Sequence, residues 1–443
     1  MRRVLPAATV AALAGLVLAG CGGEGDSRDG DGDGRDGDGV TRRIDTATPA
    51  FTTPTAVTNP LFPVQQEGQT IQLGDEEGEP LRVEVTTLPR TITVRWADQE
   101  IEAAVAQYVA YRSGRIIEVA LDYYAQDDEG GVWYLGETVD NYADGGVADH
   151  EGSWLAGADG PAGLIMPADP REGDVFRPEN IPGLVFEEVT VQAVGQTADG
   201  PRGPVAGAIR TEEHLMDGAV EHKVFAPGYG EFRAEAPDEL VEVVVAVPAD
   251  AVEGVDVPVA LRDVVTAAMG IVDTLGAGDE VTAGDWAAVR DEAAATAAGW
   301  RAGRPPNAPR GLADRLGEAL DTVVGGAGDG DAAGTRRAAL DAVTAALDLT
   351  LVYRPPAEVD VDRLGVVARQ LLADAAESDR AGMLSDVSIL EAIRDRVAHA
   401  LDQVPAAALD QTLRALRAAA ERADADAVAA EVSAVLEQVR AAG

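Results

Sequence analysis

Two histidines flank one predicted turn at a spacing that suits a metal ion. His214 and His222 lie on either side of residues 217–218, and a glutamate adjoins each of them, Glu213 and Glu221. A three-residue hairpin loop places the two histidines opposite each other, whereas a two-residue loop pairs each histidine with a glutamate. Zinc takes imidazole and carboxylate ligands, so either register predicts a site with two or three ligands. Charge-complementary pairing between the strands is the alternative interpretation, and it needs no metal.

A second group of metal-ligand residue types follows one predicted helix. Glu391, Asp395 and His399 are spaced by four residues and therefore fall on the same helix face. A metal site in a helical bundle takes a further Glu-x-x-His from another helix, and the sequence after residue 222 has no histidine other than His399. Ordinary intrahelical ion pairs, with Arg394 as the partner of Glu391, explain the same pattern.

Four aromatic residues in the middle of the chain have side chains that can stack on a flat ligand. They are Trp133, Tyr134, Tyr142 and Trp154. Their rings could bind a sugar or another planar molecule at a rim shaped by the nearby glycines and prolines. Aromatic residues in strands more often fill the core, so core packing is the alternative interpretation.

No motif in the sequence assigns a catalytic mechanism. The chain lacks G-x-S-x-G, H-E-x-x-H and a Walker loop, and it contains one cysteine and one lysine, Lys223. Residues 32–37 fit G-x-G-x-x-G and residues 29–34 resemble the start of an EF-hand loop, but neither has the flanking strand or helices that such sites require. We therefore expect no catalytic residue and no cofactor, and any acid–base chemistry would depend on carboxylates.

The charge balance restricts the partners of the chain. Its 443 residues include 77 acidic and 35 basic ones, for a net charge of −42. Such a surface repels phosphate backbones, so nucleic acid is not an expected partner. It also repels anionic headgroups, so membrane contact requires something other than a basic patch. The partner that we expect is a small molecule, a glycan or another protein.

The N-terminal segment can provide the membrane contact. Arg2 and Arg3 precede an apolar run over 5–20, which as a helix spans roughly 24 Å and is shorter than the ~30 Å hydrocarbon core. This pattern is typical of a secretory signal peptide. The sequence "LAGC" at 18–21 resembles the bacterial lipobox. The resemblance implies cleavage after Gly20, a diacylglyceryl-type anchor on Cys21 and a location on the outer face of a bacterial cell membrane. An ordinary signal peptide with an incidental cysteine is the alternative.

Three segments follow this predicted signal peptide of residues 1–20, and together they predict an α+β chain. Residues 21–58 are rich in Gly and Asp and then in Thr and Pro, which predicts a disordered acidic tether behind the lipidated cysteine. Residues 59–250 alternate polar and apolar residues, which predicts about nine to eleven antiparallel strands in a curved sheet or open barrel. Residues 251–443 change to a helical period and predict about eight antiparallel helices, in two four-helix halves that meet at 354–358.

Capping residues and glycines set the expected helix ends. Thr282 together with Asp285 is expected to begin the second helix, Asp360 the fifth and Asp424 the last. A segment rich in Gly and Asp at 325–331 is expected to end the third helix.

Parts of the predicted β-rich domain resemble an uncharacterised family of bacterial secreted proteins and lipoproteins. The similar stretches are "NPLFP" (59–63), "VWYLGETVDNY" (132–142), "GSWLAGADGPAGLIMP" (152–167) and "APGYG" (226–230). At 176–179 the chain has Phe-Arg-Pro-Glu where the family has Tyr-Arg-Gln-Glu. The resemblance implies a secreted β-rich domain over 59–235, and it implies no activity.

Two hypotheses of function follow. The leading hypothesis is a lipid-anchored extracytoplasmic protein with a non-enzymatic binding or structural role. The alternative is a metal-binding protein of the envelope or a carboxylate-dependent hydrolase.

Overall fold

The computed structural model of this chain describes residues 41–65, 67–276, 281–401 and 403–442. The predicted signal peptide, its cleavage point after Gly20 and the lipidation residue Cys21 lie outside the described residues, as does the first part of the predicted tether. Among the helices that are described, none combines the length and the apolar character that crossing a membrane requires.

Fifteen strands form one open, mostly antiparallel sheet in the first part of the described chain, and helices follow it, so the α+β class is confirmed. The strands are β1 (Arg42–Arg43), β2 (Gln69–Glu76), β3 (Glu79–Trp96), β4 (Gln99–Arg112), β5 (Arg115–Gln126), β6 (Val132–Ala143), β7 (Gly146–Asp149), β8 (Trp154–Leu155), β9 (Gly163–Met166), β10 (Asp174–Ile181), β11 (Val185–Gly200), β12 (Gly203–Leu215), β13 (Val220–Ala226), β14 (Gly230–Ala236) and β15 (Glu239–Val247). The expected number was too low, because β1, β7, β8 and β9 have only two to four residues, too few to show an alternating pattern.

Two antiparallel meanders make up most of the sheet. The first meander contains β2–β7, with β8 and β9 paired to β6, and the second meander contains β10–β15. Pairing of β15 with β2 joins the two meanders. Pro89 has no N–H to donate, and the β3–β4 ladder shifts register between Leu88 and Thr91 at this point. Bulges of this kind bend long strands and let a sheet curl.

The sheet curls until its two meanders face each other across an interior. Gly163 of β9 lies so close to β10 that a Cβ atom at this position would be 1.7 Å from the carbonyl oxygen of Pro178. Only glycine fits such an approach. Phe176 of the second meander belongs to the same hydrophobic cluster as Tyr134 and Trp154 of the first. The concave face of the sheet is therefore buried.

Part of the predicted tether packs on the sheet. Arg42 and Arg43 form β1, which pairs in parallel with the start of β10. Farther along the chain, the backbone amide and the hydroxyl of Thr52 donate hydrogen bonds to Asp128, and Val57 is buried. The folded body therefore begins before residue 59, because this segment supplies a strand and a core side chain that its polar composition does not indicate.

Eight helices follow the sheet in the described chain. They are α1 (Val259–Leu275), α2 (Ala283–Gly303), α3 (Arg310–Asp329), α4 (Ala332–Thr350), α5 (Pro356–Ala376), α6 (Arg380–Val397), α7 (Gln403–Glu421) and α8 (Ala425–Ala442). In α1–α4 each helix contacts the next and α1 contacts α4, and α5–α8 repeat this ring. The two rings have separate apolar cores and meet where α4 leads into α5, in agreement with the predicted four-helix halves.

Two of the three expected helix caps are present. Thr282 and Asp285 form a reciprocal capping box at the start of α2, and the Asp424 carboxylate accepts a hydrogen bond from the third residue of α8. The expectation for Asp360 was wrong, because α5 already begins at Pro356. Asp360 lies inside the helix and is fully buried, where an arginine satisfies it.

The segment at 325–331 ends α3 as expected, but only at its last glycine. The helix continues to Asp329, and Gly330 ends it with a φ of 74°. Gly326 lies against α4, where a Cβ atom would be 2.7 Å from Oγ1 of Thr335. This glycine therefore allows the two helices to approach closely instead of ending the helix.

Both helical halves pack on the sheet. The core of the first half includes Ile71 of β2 and Val245 of β15, and the core of the second includes Val109 of β4, with Val119 of β5 packed against it. Side chains alternate between the faces of a strand, so these residues point away from the interior. The helices therefore cover part of the convex face of the sheet, and several strands are buried on both faces.

Candidate functional site

The hairpin that carries His214 and His222 has neither of the two expected registers. Its loop contains residues 216–219, so Glu213 pairs with Glu221 while His214 pairs with Val220. Because side chains alternate between faces, the two glutamates point into the interior and the two histidines are exposed. These four residues therefore do not form the predicted zinc site.

The second group of potential ligands is dispersed as well. Glu391 forms an ion pair with Arg417 of α7, and Asp395 forms one with Arg90 of the sheet, each at 2.5 Å. His399 lies beyond the last residue of α6. In the part of the chain that the structure describes, no group of three or more His, Cys, Asp or Glu residues is arranged to hold a metal ion.

Three of the four candidate aromatic residues belong to the core. Trp133, Tyr134 and Trp154 are 6%, 0% and 2% exposed. Tyr134 stacks on Tyr124 with ring centroids 5.1 Å apart, and Trp154 meets Tyr134 edge to face at 5.4 Å. Their polar ring atoms donate hydrogen bonds to carboxylates, namely Trp133 to Asp127, Tyr134 to Asp122 and Trp154 to Glu179. Core packing, and not the stacking of a ligand, is therefore the role of these three rings.

Tyr142 differs from the other three because it is half-buried and lines an open groove of about 580 Å³. The groove lies between the β6–β7 hairpin and helices α6 and α7, and its charged lining residues are Asp140, Asp144, Arg380, Glu391, Arg417 and Glu421. Arg417 is held in place by Glu391 and by Oγ of Ser388, at 2.9 Å. Burial raises the pKa of Tyr142 to about 12, so its hydroxyl can donate a hydrogen bond at neutral pH.

Lys223, the only lysine of the chain, lies in the interior of the sheet and is 3% exposed. Its ammonium nitrogen is 2.8 Å from a carboxylate oxygen of Glu213 and 3.5 Å from one of Glu221. Glu231 and Glu187 lie at 3.6 and 3.8 Å. The four strands β11–β14 each supply one of these glutamates, so the antiparallel register of the second meander brings them together.

Further titratable groups surround this lysine in a cluster that we call the acidic interior. The first meander supplies Tyr108, Glu118, Asp122, Tyr124, Tyr134 and Glu137. The second meander supplies Lys223 together with Glu179, Glu187, Glu213, Glu221, Glu231 and Glu239. Most of these residues are buried, and Glu231 and Glu239 are half-buried. A single ammonium group therefore faces many carboxyl groups.

Glu137 is the least satisfied member of the acidic interior. Neither of its carboxylate oxygens accepts a hydrogen bond from any described residue, although the side chain is buried. Asp122 lies directly opposite on β5. A protonated Glu137 donates a hydrogen bond to Glu179 of β10. A buried carboxylate that accepts no hydrogen bond loses its hydration without compensation, so the neutral acid is favoured at this position.

Burial raises the pKa of several carboxyl groups in the acidic interior. The pKa of Glu118 rises to about 8, because the group is buried and lies near Asp122. Burial raises the pKa of Asp122 to about 7 even though Tyr134 donates a hydrogen bond to it. The pKa of Glu221 also rises to about 7, because burial outweighs the attraction of Lys223. These groups exchange protons near neutral pH.

The groups beside the lysine divide into charged and neutral ones. Burial would lower the pKa of Lys223, but the surrounding carboxylates outweigh it and hold the pKa well above its usual value. Burial would raise the pKa of Glu213, but Lys223 and the hydrogen bonds from Glu187 and Thr211 together outweigh it and lower the pKa. Burial and the neighbouring Glu213 raise the pKa of Glu187 well above its usual value. Lys223 and Glu213 therefore form a charged pair, whereas the neutral acid is favoured at Glu187 beside them.

The acidic interior has the proton chemistry of a general acid, but a substrate cannot reach it easily. Carboxyl groups with a pKa near 7 can both donate and accept protons at neutral pH. However, Asp122 and Glu137 are each 2% exposed, and Trp154 and Tyr134 pack beside them. These carboxyl groups can therefore exchange protons at neutral pH, but they are buried in this structure.

A second buried charge network joins the sheet to the helices, and we call it the charge clamp. It contains Arg82 and Glu84 of β3, Asp348 of α4, Asp360 and Arg363 of α5, and Arg396 of α6. Arg396 is the central member, with Nη1 2.6 Å from Glu84 and Nε 3.2 Å from Asp360. Three guanidinium groups balance three carboxylates, so the charge clamp is neutral as a unit and ties both helical halves to one strand.

The sequence alone did not indicate the acidic interior. The isolated lysine and the acidic residues within strands were the available signals, as in β5, where Glu118, Ala120, Asp122 and Tyr124 share one face. An acidic residue on an alternating strand normally marks the solvent face. Here the interior covers one face of β5 and helix α6 contacts the strand, so the pattern predicts the wrong exposure.

No protein-family model matches the chain, and no curated protein sequence matches it significantly. The similarity of the stretches between 59 and 235 to a family of bacterial secreted proteins stays a prediction.

Proposed function

We propose that the chain is a lipid-anchored protein on the outer face of a bacterial cell membrane, with a binding role and no enzymatic one. The stretch Leu18 to Cys21 carries this proposal, because an apolar run and two small residues lead directly to the only cysteine. The Gly/Asp tract behind Cys21 supports it, since a flexible, self-repelling chain holds a folded body away from the bilayer. A surface with a net charge of −42 needs such a covalent anchor to stay near anionic lipids.

Fractionation of cells that produce a Cys21→Ser variant tests the location. The serine form lacks the sulfur that would carry the lipid, so we expect it to leave the membrane fraction. Ser27→Ala, a change six residues farther along the same tract, is the matched control and should stay with the membrane. Equal membrane retention of the Cys21→Ser form would contradict the proposed anchor.

The groove beside Tyr142 supports the binding role. Its volume of about 580 Å³ falls within the range of about 300–1,000 Å³ that small-molecule sites occupy. Tyr142 offers a ring for stacking, and Asp144 and Arg380 offer hydrogen-bonding groups. Four carboxylates and two guanidinium groups line the groove, so it favours a neutral or cationic ligand over an anionic one. We propose a saccharide unit, because its flat apolar face suits a ring and its hydroxyls suit carboxylates and guanidinium groups.

A glycan-binding screen with Tyr142→Ala tests this assignment. Loss of the ring should weaken binding about five- to thirtyfold, because a stacked aromatic contact contributes about 1–2 kcal/mol. Tyr353→Ala removes a half-buried tyrosine outside the groove and serves as the control. Binding that persists in the Tyr142→Ala variant, or that both variants lose equally, would contradict a ligand site in this groove.

The acidic interior favours one alternative, a carboxylate-dependent hydrolase. Asp122 and Glu221 have pKa values of about 7, which suits a general acid or base. A hydrolase screen with the full chain and with Asp122→Asn separates the two functions. Turnover by the full chain that the Asp122→Asn variant lacks supports the enzyme. Metal analysis of the same preparation tests the remaining alternative, because a stoichiometric transition metal would favour a metal-binding role.

A further inference from the structure

The acidic interior has too few positive charges for its carboxyl groups. Lys223 and its four neighbouring glutamates would carry a net charge of −3 if all five groups were ionised. Burial of unpaired charges is strongly unfavourable. The arginines of the charge clamp do not compensate, because they bind Glu84, Asp348 and Asp360 between the sheet and the helices. Protons are therefore needed to balance the charge of the folded sheet.

Glu137 is the position where such a proton has a defined role. The carboxyl group faces Glu179 of β10 and Asp122 and Glu118 of β5, and Tyr134 belongs to the same strand as Glu137. Neither oxygen accepts a hydrogen bond from a described residue. As a neutral acid the group donates to Glu179, whereas as a carboxylate it would repel all three neighbouring carboxylates. Since β6 belongs to the first meander and β10 to the second, this proton joins the two meanders across the interior.

A second shared proton lies beside the lysine. A protonated Glu187 donates a hydrogen bond to Glu213, which also accepts one from Thr211 at 2.9 Å and contacts Lys223. The other titratable groups that face this pair and the lysine are Glu179, Glu221, Glu231, Glu239 and Tyr124. Loss of the proton would leave the Glu187 and Glu213 carboxylates in contact with each other, with only the Lys223 ammonium group to balance both charges.

We propose that the acidic interior is a proton-binding site that couples the surrounding pH to the closure of the sheet. The proton between Glu137 and Glu179 holds β6 against β10, and the proton between Glu187 and Glu213 keeps the charge around Lys223 balanced. When these protons leave, like charges face each other and the contact between the meanders loosens. On a protein outside the cell, which rests on the proposed location, the relevant pH is that of the environment.

The direction of the effect follows from the raised pKa values. Burial raises the pKa of Glu118 and Glu239 to about 8 and that of Asp122 and Glu221 to about 7. The unfolded chain releases the same protons near pH 4 to 4.5, so between these values the folded state binds more protons. The contribution of these groups to stability is therefore fully present below about pH 4 and falls as pH rises toward 8. Each such proton lowers the folded-to-unfolded ratio about tenfold per pH unit.

Denaturant unfolding of the full chain at pH 5, 6, 7 and 8 tests the proposal, with tryptophan fluorescence as the signal. We expect the folded-to-unfolded ratio to fall at least tenfold per pH unit. Glu137→Gln keeps the shape of the side chain and a donor for Glu179 but has no titrating proton. The folded-to-unfolded ratio of this variant should fall about tenfold less per pH unit than that of the unmodified chain. At pH 8 the variant should be the more stable of the two. Glu100→Gln changes an exposed carboxylate of β4 and should follow the unmodified chain.

Three results would overturn the proposal. Stability that is constant or rises from pH 5 to pH 8 would show that the interior does not retain protons. An unchanged pH dependence in Glu137→Gln, or in Glu118→Gln if the first variant does not fold, would show that the named groups do not bind them. Recovery of the pH 5 stability by calcium chloride at pH 8 would show that a cation occupies the site. None of these results depends on the lipid anchor, because purified protein is measured.

Discussion

Replacement of Arg396 by methionine is the most direct perturbation of the contact between the sheet and the helices. The side chain is among the largest fully buried ones, and it connects α6 with Glu84 of β3 and Asp360 of α5. Methionine keeps most of the volume and removes the guanidinium group. Glu84 and Asp360 then remain in an apolar environment with one cation fewer.

The expected loss in the free energy of unfolding is about 3 kcal/mol. Removal of one partner from a buried ion pair costs about 3–5 kcal/mol, because the other charge stays buried without compensation. The lower end applies here because each carboxylate keeps a second partner. Glu84 remains 2.7 Å from Arg82, and Asp360 remains 2.6 Å from Arg363.

Guanidinium chloride unfolding, followed by far-UV circular dichroism and by tryptophan fluorescence, measures this loss. Tryptophans lie both in the sheet, as Trp154, and in the helices, as Trp300, so the fluorescence covers both parts of the chain. Arg90→Met is the matched control, because Arg90 also joins the sheet to α6 but its pair with Asp395 is partly exposed. The control should lose about 0–1 kcal/mol.

A double substitution separates buried charge from lost packing. Glu84→Gln combined with Arg396→Met removes a carboxylate together with its partner, so part of the lost stability should return. Equal, small losses in Arg396→Met and Arg90→Met would refute the reasoning that the charge clamp holds the sheet and the helices together. The reasoning would also be contradicted if the double variant lost as much stability as the sum of the losses in the single variants Glu84→Gln and Arg396→Met.

Three further predictions concern local features of the fold. Gly163→Ala should lose about 1–3 kcal/mol of stability because the new Cβ would overlap the backbone of β10. Gly146→Ala should lose much less, because no atom lies within 4 Å of the position of its Cβ. Thermal unfolding of both variants measures the difference. Thr282→Ala should lose about 1 kcal/mol through the capping box of α2, and amide exchange near that helix end should rise. Burial would raise the pKa of Glu84, but Arg396, Arg82 and Arg363 together outweigh it and hold the pKa well below its usual range. The stabilisation from these ion pairs is therefore present above about pH 4.5 and is lost on acidification. Acid unfolding should therefore begin below about pH 4 and have a shallower pH dependence in Glu84→Gln, and equal dependence in both proteins would be evidence against this assignment.

Sequence patterns were sufficient to predict strands and helices where one hydrophobic period continues over many residues. The alternating pattern of 59–250 includes the run that forms β5, and the helical repeat of 251–443 coincides with eight helices. The capping residues Thr282 and Asp424 also act as expected, because the side chain and the amide that it caps are three residues apart. Such local interactions can be read without knowledge of the tertiary structure.

Registers and exposures could not be predicted, because they depend on longer-range interactions or on a single local contact. The loop at 216–219 is longer than expected, and within it the Asp217 carboxylate accepts a hydrogen bond from the amide of Ala219. A change of one or two residues in loop length moves Glu213 and His214 to different partners. The predicted zinc site depended on that register, and the acidic interior follows from the register that is present.

Buried charges were the other feature that the sequence concealed. Asp360 has the residue type of a helix cap, and its true role depends on Arg396, which is 36 residues away. Lys223 likewise has the residue type of a surface cation, and only the curled sheet places it among glutamates. Composition reports how many charges a chain has, whereas the fold decides which of them are removed from water.

The most direct test of the account is the intact mass of the mature protein extracted from bacterial membranes. We predict a chain that begins at Cys21 and carries the mass of a diacylglyceryl group on that residue. A mature chain that begins at another residue, or an unmodified Cys21 on protein that remains bound to the membrane, would contradict the proposed anchor.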